Sequence, residues 1–394
     1  MLTKQFKDKK LSLLGFGTMR LPLVSSDKNA PIDQETVNKM VRYGYEHGVN
    51  YFDTAYPYHD GESERAIGKA LKQLPRENVY LATKYPGHQI ASSYDPKEIF
   101  EKQLEKCDVE YFDFYLLHNV NEKSIDTYLD PRWKIVDYFL EQKRNGRIKH
   151  LGFSSHGEIE NLKQFLDAYG DVMEFCQIQL NYMDWTLQDA KTKCDILTAR
   201  NIPIWVMEPV RGGKLANLSE EYEEALKKLR PNESIASWAF RWLLTLPNVH
   251  MILSGMSNMD QMIDNVKTFT ELKPLSNKEV ELLYQIADSM KNSLPCTACR
   301  YCVEVCPQGL DIPMLINMYN QLRFAPQMNI RVRIDALSED KRPSACIACG
   351  ACMAMCPQNI DIPTAMQEFA EELSKLPSWE EICLQREAAA KKAV

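Results

Sequence analysis

Along residues 11–270, short apolar runs alternate with longer amphipathic stretches. The runs are "LSLLGFG", "VNYFDTA", "VYLATK", "YFDFYLLH", "HLGFSS", "FCQIQLN", "PIWVMEP" and "HMILSGM". Between them lie segments such as "DQETVNKMVRYGYEHG", "ESERAIGKALKQL" and "PRWKIVDYFLEQKRNG", with apolar residues at helical spacing. A continuous apolar run fits a strand buried on both faces. Strands alternating with helices imply parallel crossovers. Eight such units in about 250 residues predict an α/β fold, a (β/α)8 TIM barrel. The alternative is a doubly wound open sheet, which commonly carries a glycine-rich phosphate turn after its first strand. Here "GFGTMR" is not G-x-G-x-x-G, and no Walker loop exists.

Beyond residue 285 the pattern changes. Cys296, Cys299, Cys302 and Cys306-Pro stand at spacings x2, x2, x3, and Cys346, Cys349, Cys352 and Cys356-Pro repeat them. This is the run bacterial ferredoxins use for [4Fe–4S] clusters, where the fourth cysteine serves the other cube. One cluster is therefore expected on Cys296, Cys299, Cys302 and Cys356, the second on Cys346, Cys349, Cys352 and Cys306. Two four-cysteine zinc sites are the alternative, but paired CxxC hooks leave each middle cysteine unexplained. Spacings of three and four between the copies predict helices. "DIP" after each run places Asp311 and Asp361 at helix N-caps, with proline in the first turn. The segment 371–394 reads as a solvated terminal helix. The module resembles the helical type of two-cluster ferredoxin domain. The expected division is 1–285 for the barrel and 286–394 for this module.

Composition narrows the classes. Of 394 residues, 45% are apolar and 26% charged, enough for a core. The net charge of −7 comes without a basic stripe, which argues against nucleic acid. No apolar run reaches the length of a membrane span. The start has no signal segment, and eight of twelve cysteines crowd into 296–356. Together these predict a cytoplasmic protein.

Polar residues end the predicted strands: Asp53, Lys84, His118, Ser154 with Ser155, and Glu208. In a barrel these ends share one face, the face that carries chemistry. "YFDTAYPYHDGESERAIGKAL", "VYLATK", "YLLHN", "IKHLGFSSH", "QIQLNY" and "SGMSNMDQMIDNV" resemble an aldo-keto reductase over about residues 10–270. The paired cysteine runs resemble its subgroup with a ferredoxin-like extension. The resemblance implies an oxidoreductase with catalytic Asp53, Tyr58, Lys84 and His118. Chemistry supports the set. A phenol donates a proton to a developing alkoxide, a lysine ammonium lowers its pKa, the aspartate holds the lysine, and the histidine orients the substrate oxygen. Tyr56 is the rival to Tyr58.

The resemblance also implies NAD(P)H. Its carboxamide would lie at Ser154, Ser155 and Gln177, and Met207 replaces the usual stacking aromatic. Thr18, Met19, Asp53, Glu208, Gly255, Met256 and Asn265 complete the expected cofactor set, with a phosphate-binding helix start near Ser257. The last loop lacks Lys and Arg, so little preference for NADPH over NADH is expected. Arg211 or Lys214 would be the substitutes. A nicotinamide moves two electrons as hydride while a cluster passes one. Three arrangements stay open: a mediating flavin, direct reduction by the clusters with the tetrad as proton donors, or a structural module. The functional reading is reduction of a carbonyl or related electrophile. The alternatives are a ferredoxin-driven reductase and a non-catalytic electron-transfer or redox-sensing protein. A small-molecule substrate and an electron-transfer partner protein are the expected partners.

Overall fold

A computed structural model describes residues 1–27, 30–87, 95–290, 294, 296, 300–324, 328–356 and 358–392. The chain groups into two compact units, residues 1–283 with 386–394, and residues 284–385.

The first unit opens with an antiparallel hairpin, β1 (Thr3–Phe6) and β2 (Lys9–Ser12). Eight parallel strands then close a barrel: β3 (Leu14–Gly17), β4 (Tyr51–Asp53), β5 (Tyr80–Tyr85), β6 (Phe112–Val120), β7 (Ile148–Ser155), β8 (Cys176–Gln179), β9 (Ile204–Met207) and β10 (Val249–Gly255). Each pairs with its neighbours in chain order, and β10 returns to β3. All eight expected strands are present. The run "LSLLGFG" is divided, however: Leu11 and Ser12 finish the hairpin, and the barrel strand begins at Leu14. Polar "TKQFKDKK" hides the hairpin because little in it is apolar. Its one large apolar residue explains its place. Phe6 packs against Trp205, His150 and Phe114, with ring centres at 5.0, 5.1 and 5.7 Å. It thus plugs the end of the barrel opposite the strand C-termini.

Helices fill the crossovers. Asp33 caps Gln34–Glu46 by accepting from the Thr36 N–H at 3.0 Å. Asp95 caps Pro96–Cys107 in the same way, with proline in the first turn.

The second unit is helical. Ile312–Phe324 and Met328–Ala336 lie between the cysteine runs, and Ile362–Ser374 follows the second. Leu315, Ile316, Ile330, Met366 and Phe369 form its core. Asp311 and Asp361 accept from the Met314 and Thr364 N–H groups, as their spacing predicted. The segment 371–394 is not one helix. Glu371–Ser374 end the preceding helix, and Trp379–Lys392 begins anew after Pro377. Ser378 and Glu381 exchange backbone and side-chain hydrogen bonds there, a capping box. Among the described residues no helix is long and apolar enough to cross a membrane.

Candidate active site

Side chains alternate along a strand, so every second residue enters the barrel. Tyr51, Ala82, Leu116, Phe175, Trp205 and Leu253 belong to the inner cluster around Phe6. Two residues on, at the C-terminal mouth, stand Asp53, Lys84, His118, Gln177, Met207 and Gly255. His150 is inward too, so Ser154 shares this parity. Ser155, Glu208 and Met256 fall on the opposite one. The Ser155 hydroxyl donates to the Val120 carbonyl at 3.1 Å, Ser154 Oγ accepts from the Asn119 N–H at 2.8 Å, and Met256 is fully buried.

Lys84 is fully buried. Its ammonium donates to Asp53 Oδ1 at 2.5 Å and to the Thr54 carbonyl at 2.7 Å, and the Tyr58 phenol stands beside it. Tyr58 comes from a short 3-10 turn, Tyr58–Gly61, in which His59 and Asp60 both take left-handed backbone (φ 52° and 54°). The conformation is uncommon in non-glycine residues and turns the chain back sharply. The Tyr58 ring centre lies 5.0 Å from Lys84 Nζ and 6.1 Å from the His118 ring. Tyr56 points elsewhere, with Lys106 Nζ 4.4 Å from its ring centre.

Burial dominates the electrostatics. It pushes the Tyr58 phenol above its ordinary pKa, and the Lys84 charge only partly opposes it. The expectation of a lowered phenol pKa holds for the sign of the lysine's contribution and not for the balance. Burial opposes charge on Lys84 too, but Asp53 and Tyr58 outweigh it and hold the ammonium above its usual value. Burial raises the Asp53 carboxyl against the pull of Lys84.

The remaining expected cofactor positions surround this mouth. Gln177 Oε1 is buried with no hydrogen-bond partner among the described residues, while Gln177 Nε2 faces Met207 Sδ at 3.6 Å. Thr18 Oγ1 donates to the Asp53 carbonyl at 3.0 Å, and Met19 is exposed. Glu208 is half-buried with left-handed backbone (φ 55°), its carboxyl pushed up by burial and by Asp184. Asn265 donates to Ser254 Oγ at 2.9 Å. The helix after the last strand begins at Met259, capped by Asn258 on the Gln261 N–H, while the Ser257 N–H already donates to Gln261 Oε1.

Three features escaped the sequence. Arg20 crosses to the last strand: its carbonyl accepts from Ser257 Oγ at 2.9 Å, and a Cβ at Gly255 would stand 3.4 Å from its stem. Its NH2 lies 3.2 Å from where a Cβ of Gly212 would be, beside the left-handed Gly212 and Gly213. Position three past β3 was the only signal. Arg211 is buried and paired with Asp184, which also accepts from Gln179 at 2.8 Å and Asn181 at 2.7 Å. Behind Lys84, buried Glu64 accepts from Thr83 and Gln103, both at 2.7 Å, and Gln103 also donates to the Lys84 carbonyl at 3.0 Å.

Residues 13–288 match the model of the aldo/keto reductase family. The chain belongs to that family. Residues 295–360 match a 4Fe-4S dicluster domain. The reductase is 32% identical over 153 residues to a probable aldo-keto reductase of Glycine max, covering 37% of this chain and 42% of that one. It is 24% identical over 330 residues to the NADH-specific methylglyoxal reductase of Escherichia coli, covering 72% and 97%. An aldo-keto reductase of Bacillus halodurans in its holo form superposes with a TM-score of 0.59 at 25% identity, over 73% of this chain and 96% of that one.

In the dicluster domain of this reductase the cysteines share cavities. Cys346, Cys349 and Cys352 line one together with Cys306. Cys296 and Cys302 line another together with Cys356. Cys299 lies outside the described residues. Each cavity therefore takes its last cysteine from the other run. Apolar residues such as Leu310 and Ile360 line the same cavities, beside Gln308 and Gln358.

Proposed function

We propose that this aldo/keto reductase reduces a carbonyl compound at the mouth of its barrel, with a nicotinamide nucleotide as hydride source. One observation carries the reading: a buried lysine bonded to Asp53 and the Thr54 carbonyl, with the Tyr58 phenol and His118 alongside. The bound nicotinamide supplies the hydride. Tyr58 holds the proton that the developing alkoxide takes. At neutral pH its raised pKa keeps it protonated, and Lys84 stabilises the phenolate left behind. Asp53 anchors Lys84 by charge and hydrogen bond. His118 offers a donor to the carbonyl oxygen and fixes its direction. The unsatisfied Gln177 Oε1 fits the amide N–H of a carboxamide, and Ser154 stands beside it on the same parity. Arg20 and the left-handed Gly212–Gly213 turn offer positive charge and close backbone approach to a nucleotide diphosphate. The relative from Escherichia coli suggests methylglyoxal and NADH as a first assay pair. Tyr58→Phe losing most of its turnover while nucleotide binding persists is the result expected. Undiminished turnover would remove Tyr58 as the acid.

We assign the dicluster domain two [4Fe–4S] clusters with exchanged fourth ligands: Cys296, Cys299, Cys302 and Cys356 for one, Cys346, Cys349, Cys352 and Cys306 for the other. The composition of the two cavities supports this pairing. It also favours a second reading, in which one-electron donors feed the reaction, through a flavin or directly. Assays of the wild type and Tyr58→Phe with NADH and with a reduced one-electron dye separate the two. Activity with the dye alone would favour the second.

A further inference from the structure

The two cysteine cavities are matched position by position at a shift of fifty residues. Pro313 lines one and Pro363 the other, and the same holds for Gln358 and Gln308, and for Ile360 and Leu310. Each cavity is thus an internal control for the other. At one lining position the match fails in charge: Arg300 stands where the second cavity has Gly350. The backbone does not differ, since both residues are left-handed, with φ 67° and 76°.

Arg300 NH1 and NH2 reach Asp311 Oδ1 and Oδ2 at 3.3 and 3.1 Å. Asp311 caps the helix whose Pro313 and Ile316 line the same cavity, so the guanidinium sits at that wall. The equivalent carboxylate, Asp361, accepts from the Thr364 N–H and hydroxyl at 3.2 and 2.9 Å, and no Lys or Arg pairs with it among the described residues. One cation competes. Lys341 Nζ donates to the carbonyl of Gln308, behind the second cavity, and lies 3.6 Å from Asp340. Glu304 is exposed, stands between Cys302 and Cys306 opposite Ala354 in the second run, and lines neither cavity. Among the described residues that line the two cavities, Arg300 is the one charged side chain.

Reducing a cluster adds one negative charge, and its potential follows the local charge. We propose that Arg300 makes the cluster held by Cys296, Cys299, Cys302 and Cys356 the more easily reduced of the two. The inference rests on the two-cluster reading. One electron given to the domain by an external one-electron donor then settles there, and the cluster beside Gly350 stays oxidised, with no proton moved.

The test is a potentiometric titration of the full chain, prepared anaerobically and followed by electron paramagnetic resonance, with iron and sulfide measured on the same samples. The wild type should show two waves. Arg300→Gln should lower the upper wave by about tenfold in its reduction equilibrium, ~59 mV for one electron, and leave the lower one in place. Gly350→Arg should raise the lower wave. That variant has room, because no described atom lies within 4 Å of a Cβ there, and it takes on the left-handed backbone that Arg300 already adopts. Coincident waves in the wild type, or an upper wave indifferent to Arg300→Gln, would overturn the inference while about eight iron and eight sulfide per chain leave the cluster reading intact. Absence of sulfide would overturn both.

Discussion

Lys84 and Asp53 form a buried ion pair at 2.5 Å, on strands that are neighbours in the barrel. Asp53 Oδ2 has no hydrogen-bond partner among the described residues, so the pair depends on this one contact and on the fixed strand register. Breaking a buried pair from one side leaves an uncompensated charge. Asp53→Asn should therefore lower turnover strongly and destabilise the fold by about 3–5 kcal/mol. Steady-state kinetics and denaturant melts of the same preparation check both.

Tyr58→Phe should cost about 10²–10⁴-fold in kcat, the usual worth of a general acid. Tyr56→Phe should be mild, because its ring packs under Lys106 and faces away from Lys84. Lys84→Met removes the charge that partly offsets burial at Tyr58, so the phenol pKa rises further and turnover slows. Equal losses for Tyr56→Phe and Tyr58→Phe would contradict the assignment.

Arg20→Met should weaken NADH and NADPH binding alike, by several-fold in Kd, because its guanidinium lies over the Gly212–Gly213 turn where a diphosphate would approach. Fluorescence titration with each nucleotide reads this directly. A loss confined to NADPH would move Arg20 to the 2′-phosphate and would give NADPH the preference that the last loop alone does not predict.

Cys306→Ala should damage the cluster served by Cys346, Cys349 and Cys352, and Cys356→Ala the one served by Cys296, Cys299 and Cys302. Resonance spectra of the two variants should lose different signals. Damage limited to the cluster of each cysteine's own run would refute the exchanged ligands.

His156 connects pH to stability. Burial, and then the Lys193 ammonium, push its imidazole down to about 4. The unfolded chain binds this proton near the ordinary value of about 6.5, so the unfolded state holds more protons between those limits. The stabilisation is complete above pH ~6.5 and is lost as pH falls toward about 4. His156→Gln should flatten that part of a melting-temperature profile, and an unchanged slope would assign the loss to other groups.

The eight strands, the polar residues at their ends and both cysteine runs were legible in the chain because each follows a local rule. Apolar runs mark buried strands, a parity of two aims every second side chain inward, and thiolates wrapping one cube need fixed short spacings. The hairpin was not legible, since Phe6 and Leu11 are the large apolar residues in it, and their partner is the assembled floor of the barrel. Parity at the strand ends also had to be observed. Ser154 and Ser155 are adjacent in sequence yet face opposite ways, so one shares the mouth with Gln177 and the other bonds to the Val120 carbonyl. Tyr58 stands beside Lys84 while Tyr56 packs on Lys106, a placement no local spacing states. Arg20 and Gly255 lie at opposite ends of the barrel sequence and meet because the barrel closes its last strand onto its first. Local spacing specifies which residues can do chemistry; which of them meet depends on closure of the sheet, and burial then sets their charge.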